Sequence, residues 1–138
     1  MKSKIFISFF VILILTVMTL VGCLPQDPLP DLVPTSPPGM IGYCNVDDSN
    51  NLIVYVENQG EADALTSMVQ VRFDCTGGVQ EFSASVGTLA VGETKSVSFA
   101  IPSACWDGDC SFIITVDSGG DILESDGTNN TVSGTCVG

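Results

Sequence analysis

Cysteine and carboxylate are the side chains through which this chain could do chemistry. Six cysteines stand at positions 23, 44, 75, 105, 110 and 136, and 16 Asp and Glu face only 4 Lys and Arg. Histidine is absent, which removes every Ser-His-Asp or Cys-His mechanism and every imidazole metal site. Asp117, Asp121, Glu124 and Asp126 fall within ten residues, and hard oxygen donors gathered on a loop are what Ca²⁺ takes. Their run, D-S-G-G-D-I-L-E, departs from the D-x-[DN]-x-[DN]-G spacing of an EF-hand. Acids that keep loops solvated and turns closed therefore outweigh a weak Ca²⁺ site. Glu61, Asp63 and Glu93 are expected on loops at the same end, with Asp107 and Asp109 as lesser candidates at the other. A glycosidase would need two carboxylates in a cleft lined by aromatics, and one Trp and two Tyr give little to build it from. A thiolate zinc site lacks any C-x₂-C pair. The expectation is a non-enzyme with no cofactor beyond that weak Ca²⁺.

The N-terminus carries an address. Lys2 and Lys4 precede Ile5 to Val21, a 17-residue uncharged run interrupted only by Ser8, Thr16 and Thr19. Such a pattern is a secretory signal or an anchor helix. Leu20-Val21-Gly22-Cys23, which closes it, resembles the lipobox of bacterial lipoproteins. That resemblance implies cleavage after residue 22 and a diacylglyceryl group on Cys23, anchored by about 0.8 kcal/mol per buried CH₂. Residues 23–138 carry only Arg72 and Lys95 against all 16 acids, a formal charge of −14. A body so acidic repels nucleic acid and anionic lipid head groups. The expected location is outside the cytoplasm, lipid-anchored to the cell membrane or to an outer membrane; Leu24 is not the Asp that retains lipoproteins at an inner membrane.

Six of the seven prolines lie in residues 24–40, so residues 23–30 read as an extended tether. Beyond it apolar residues recur with period two: Leu52, Val54, Val56; Val69, Val71, Phe73; Phe82, Ala84, Val86; Val97, Phe99, Ile101; and Phe112, Ile114, Val116. This is the spacing of half-buried strands. Turn formers at Asp47 to Asn50, Asn58 to Gly60, Thr76 to Gly78, Gly92-Glu93 and Ser118 to Gly120 separate them. Asp31-Leu32-Val33 is a candidate short strand within the Pro-rich stretch. Adding Met40 to Asn45 and Thr131 to Cys136 gives about seven strands, and no window reads as an amphipathic helix. The fold class is all-β, an immunoglobulin-like antiparallel sandwich over residues 31–138.

Several segments in this order resemble the CARDB family, the cell-adhesion-related domain of bacterial and archaeal surface proteins. They are Pro30 to Val33, Val54 to Ala64 with its Glu57-Asn58-Gln59-Gly60, Val86 to Glu93, and Val116-Asp117 followed by Ile122 to Asn130. Asn58 and Gly60 suit positive φ and tight turns. Leu89 can plug one end of the sandwich, and Asn129 and Asn130 can bond backbone entering the last strand. The resemblance implies a non-catalytic binding or adhesion module for a protein or a surface glycan, or else a structural spacer or envelope subunit. An exposed patch including Tyr43, Tyr55 or Trp106 would favour the binding module. The cysteines are not part of the family pattern.

With Cys23 taken by lipid, Cys44, Cys75, Cys105, Cys110 and Cys136 are expected at one pole of alternating strands. In an exported protein they should form disulfides. Cys44 with Cys136 is the preferred bridge; Cys75 pairs with Cys110 or Cys105, and a Cys105–Cys110 loop is the rival. Asn129-Asn130-Thr131 also matches a glycosylation sequon.

Overall fold

The computed structural model describes residues 26–106 and 110–137. Alternation in the sequence becomes alternation of burial. Strand β2 (Asn51–Asn58) turns Leu52, Val54, Val56 and Asn58 inward, and β3 (Ser67–Cys75) turns in Ser67, Val69, Val71, Phe73 and Cys75. In β6 (Cys110–Val116) the buried set is Cys110, Phe112, Ile114 and Val116. These central strands are rich in β-branched and aromatic residues, which suit a pleated, half-buried surface. The edges are β1 (Leu32–Thr35), β4 (Gly78–Val86), β5 (Thr94–Ala100) and β7 (Thr131–Cys136). One sheet runs β1-β2-β5 and the other β4-β3-β6-β7, with every neighbouring pair antiparallel.

A single apolar cluster joins the inner faces of the two sheets. Phe73 stands edge-on to Phe112 and Phe82, with ring centroids 6.3 and 6.0 Å away. Each large apolar side chain buried here contributes about 1.5–3 kcal/mol. Gly134 faces Phe112 across the β6–β7 ladder. A Cβ there would overlap the ring, meeting Cε2 at 2.7 Å, so the last strand gives up a side chain to admit the aromatic.

The expected strand at Met40 to Asn45 does not form. Gly39 and Gly42 sit at φ +84° and +85°, which breaks an extended run, and only Val46 makes an isolated bridge, to Leu52. The strand count is kept by Leu32–Thr35, whose Pro34 is tolerated because β1 is an edge. Packing begins at residue 29: Leu29 O accepts from Glu61 N, Pro30 O accepts from Ser125 N, and Pro30 is buried.

The strand directions define two poles. Residues 29–31, the 59–66 and 87–93 connections and the 117–130 loop meet at one. The 47–50 turn, the β3–β4 turn, the β5–β6 connection with its 3₁₀ turn (Ser103–Trp106), and the end of β7 meet at the other.

Candidate binding surface

The first pole is organised by Asn58. This residue continues the inward parity of Leu52, Val54 and Val56 and is fully buried. A buried amide must find partners, and Asn58 finds four. Its Nδ2 donates to Ala62 O (2.8 Å) and Leu89 O (3.1 Å), while its Oδ1 accepts from Asp31 N and Gly60 N, both at 3.1 Å. One side chain thus fastens the start of the domain to two loops. Gly60 is needed for proximity: its own φ is not positive, but a Cβ would overlap Asp31 N and lie 2.5 Å from Pro30 C and 2.6 Å from Leu29 O. The positive-φ reasoning of the sequence analysis therefore fails at both residues. It applies at Asn50 and Asp117, the two non-glycine residues with positive φ among the described residues, at +61° and +46°. Leu89 is fully buried and does cap the sandwich.

The carboxylates of this pole are tied to donors of the chain itself, some within their own loop and some across to other segments. Asp117 accepts from Asp121 N and Ile122 N, and Asp126 Oδ1 from Thr128 N and Oγ1. Glu124 accepts from Leu32 N and Asn130 Nδ2, both at 2.7 Å. Asp31 accepts from Asn129 Nδ2 and Gln59 Nε2, both at 2.9 Å. Asn129 and Asn130 thus grip carboxylates through their side chains rather than neighbouring backbone. Glu93 accepts from Ala90 N, and Asp63 accepts from Val91 N. Burial pushes the Glu124 carboxyl above its usual range against the pull of its two donors, whereas the Thr128 donors hold Asp126 below.

Among the described residues no three acidic or thiol side chains converge as a metal group. Asp117, Asp121, Glu124 and Asp126 are therefore not assembled into the Ca²⁺ site considered from sequence. Asn129 Oδ1 and Asn130 Oδ1 are buried without a donor, but two neutral oxygens fall short of the six to eight ligands Ca²⁺ takes. Asp107 and Asp109 lie outside the described residues. A depression of about 590 Å³ lined by Asp117, Glu124 and Asn130 contains no aromatic side chain, and both carboxylates in it already accept hydrogen bonds. Geometry of this kind offers a glycoside no stacking platform.

At the second pole the closures are covalent. Cys44 is bonded to Cys136 and Cys75 to Cys105, with Cα separations of 5.3 and 4.5 Å. Cys110 is free and buried, and desolvation pushes its thiol up. Of the two partners considered for Cys75, the structure takes Cys105, and Cys105 and Cys110 are not joined to each other. Asp47 accepts from Ser49 N, Asn51 N and Asn51 Nδ2, which lowers its carboxyl.

Between the poles, the outer face of β3, β6 and β7 is open. Arg72, Asp74, Ser111, Ile113, Ser133 and Thr135 line a shallow groove of about 390 Å³. Arg72 sits 3.8 Å from Glu81 of β4 in an exposed pair. Tyr43 and Tyr55 are both half-buried, and Tyr55 OH accepts from Asn45 Nδ2 at 3.4 Å, so neither forms the exposed aromatic patch anticipated. The side chain of Trp106, the signal segment and Cys23 lie outside what the structure describes. No helix among the described residues is long and apolar enough to cross a membrane.

The family model for CARDB matches residues 29–134, from the first packed residue into β7. Two solved structures share the fold. One is the CARDB domain of a Pyrococcus furiosus protein, determined with di-metal ions; it is 21% identical, with a TM-score of 0.52, and the match covers 81% of this chain and 96% of that one. The other is a domain of a Methanosarcina acetivorans protein described as a cell surface protein; it is 24% identical, with a TM-score of 0.56, and the match covers 79% and 91%. Comparison with curated proteins gave no significant match. The two sheets, the seven strands and a family match spanning nearly the whole packed region place this chain in the CARDB family.

Proposed function

We propose that the chain is a surface lipoprotein, moored through Cys23, whose sandwich acts as a non-catalytic binding or adhesion module for an extracytoplasmic protein or glycan. The open groove across β3, β6 and β7 carries this reading. Its lining mixes hydroxyls, the opposite charges of Arg72 and Asp74 and the apolar Ile113, the composition that holds an extended polymer by hydrogen bonds and one apolar contact. Crosslinking on intact cells followed by recovery of the protein tests it. Wild type should bring down a defined partner, and Ile113→Glu with Ser133→Arg should lose it while the domain stays folded. Equal recovery with both proteins would remove the groove from the account. Cys23→Ala should abolish lipid labelling and release the protein from membranes.

A spacer role has one observation of its own. The described chain enters the sandwich at the first pole, at Leu29, and reaches Cys136 at the second, so the domain spans its own length as a link in a stalk would.

A further inference from the structure

We infer that the second pole is a thiol–disulfide relay, in which Cys110 can displace Cys44 from Cys136 and so present a masked thiol on the 36–46 loop. Cys110 and Cys136 are direct register partners across β6 and β7, and both face inward at 0% and 2% exposure. Directly opposed residues of an antiparallel pair lie about 4.5–5.5 Å apart at Cα, within the roughly 4.4–6.8 Å that a disulfide spans. A Cys110–Cys136 bond therefore fits the existing ladder. The acceptor sulfur, already bonded to Cys44, is the free thiol's cross-strand neighbour.

The exchange balances without outside oxidant or reductant. Cys110 loses its proton, a step that its burial slows, and its sulfur attacks Cys136 Sγ. The Cys110–Cys136 bond forms as the Cys44–Cys136 bond breaks. The electron pair leaves on Cys44 Sγ, which takes up a proton; one sulfur is oxidised and one reduced. Cys75 is the competing target, because it lies one step beyond the last β3–β6 pair, Asp74 with Ser111. Attack there would expel Cys105, which is 3% exposed, and a departing thiolate is disfavoured by desolvation. Cys44 is half-buried and leaves toward water. Its loop keeps hydrogen bonds of its own, Met40 N to Pro37 O and Ser36 Oγ to Gly42 O, and stays joined to β2 through Ile53 N to Asn45 O and the Val46–Leu52 bridge. Release of Cys44 thus leaves the sandwich intact and frees a thiol able to bond to a second thiol-bearing molecule.

The test is peptide mapping of the full-length protein, purified without reductant and incubated under native conditions with N-ethylmaleimide. Label should accumulate on Cys44 together with a Cys110–Cys136 linked peptide, and Cys110→Ala should reduce Cys44 labelling at least tenfold. Label on Cys110 with Cys44–Cys136 intact, a Cys75–Cys110 link with label on Cys105, or no label at any of these positions before global unfolding would each overturn the inference. Cys44→Ser provides a second reading. It should yield protein with Cys110 joined to Cys136, whereas finding both unlinked would reject the relay.

Discussion

The two ends of this sandwich face the same problem and close in different ways. At each, strands end and loops must be held together with little apolar surface to do it. The Asn58 end is closed by side chains bonding backbone: one buried amide makes four hydrogen bonds, and Asp117, Glu124 and Asp126 turn their oxygens onto nearby N–H groups. The cysteine end is closed by two disulfides. Hydrogen-bonded closure is specified by the folded geometry, because a misplaced amide leaves Asp31 N, Gly60 N and Ala62 O unpaired. Covalent closure acts chiefly on the unfolded chain by restricting it, and so tolerates more local change. The family-like segments Val54 to Ala64, Val86 to Glu93 and Ile122 to Asn130 all reach the first end. The two disulfides lie at the second.

Breaking the first closure should cost most. Asn58→Ala leaves Ala62 O, Asp31 N and Gly60 N without their partner, while Leu89 O keeps only its bond from Ala64 N. With about 1–3 kcal/mol for each unsatisfied buried group, and water re-satisfying some of them, a loss of at least about 3 kcal/mol is expected in urea unfolding. A loss under about 1 kcal/mol would mean that the loops hold without the amide. The second closure should cost less and be graded. Removing the Cys44–Cys136 bridge by a double Ala substitution should cost about 2–4 kcal/mol. Removing Cys75–Cys105 should cost about 1 kcal/mol less, because sequence separations of 92 and 30 residues differ in loop entropy by that amount. Equal losses would argue that local packing, rather than chain restriction, sets the contribution. Gly60→Ala follows at about 1–3 kcal/mol, the cost of forcing a methyl group against the backbone of Pro30 and Asp31. It should also weaken hydrogen-exchange protection at Glu61 N, whose acceptor is Leu29 O.

How much of this was legible in the sequence divides along the same line. Strands β2, β3 and β6 are legible because period-two apolar residues have one physical reading when both sheets bury a single face. Met40 to Asn45 misleads because a short apolar stretch carries no information about Gly39 and Gly42 at positive φ. Asn58 had a readable signal, since an amide at the fourth inward position of a strand must be buried and therefore bonded. Two of its partners, Asp31 N and Leu89 O, were not readable, because they lie 27 and 31 residues away. The acidic loop could be read as acidic, but whether its oxygens face a cation or the chain's own N–H groups depends on Asp117 at φ +46°, which sequence spacing does not encode. The groove at Arg72 and Ile113 arises from register between three strands, and no local motif marks it.

The smallest expected effect separates two carboxylates within the first pole. Glu124 is raised above 4.5 first by burial, whereas Asp126 is lowered below 3.8 by the side-chain and backbone donors of Thr128. For Glu124 the folded state holds its proton more tightly than the unfolded chain does. Its contribution therefore favours folding below about pH 4.5, and stability is lost as pH rises through the folded value. Asp126 has the opposite sign: its contribution is present above 3.8 and is lost as pH falls through its lowered value. Carbon-detected NMR titration of the side-chain carboxyls should therefore give midpoints on opposite sides of the ordinary carboxylate range, two residues apart in sequence. Asp117→Asn should bring the Glu124 midpoint down slightly, since the Asp117 charge raises it less than burial does. A Glu124 midpoint at or below the ordinary glutamate value would mean that the Leu32 and Asn130 donors outweigh burial, making Glu124 a bonded loop closure of the same kind as Asp126.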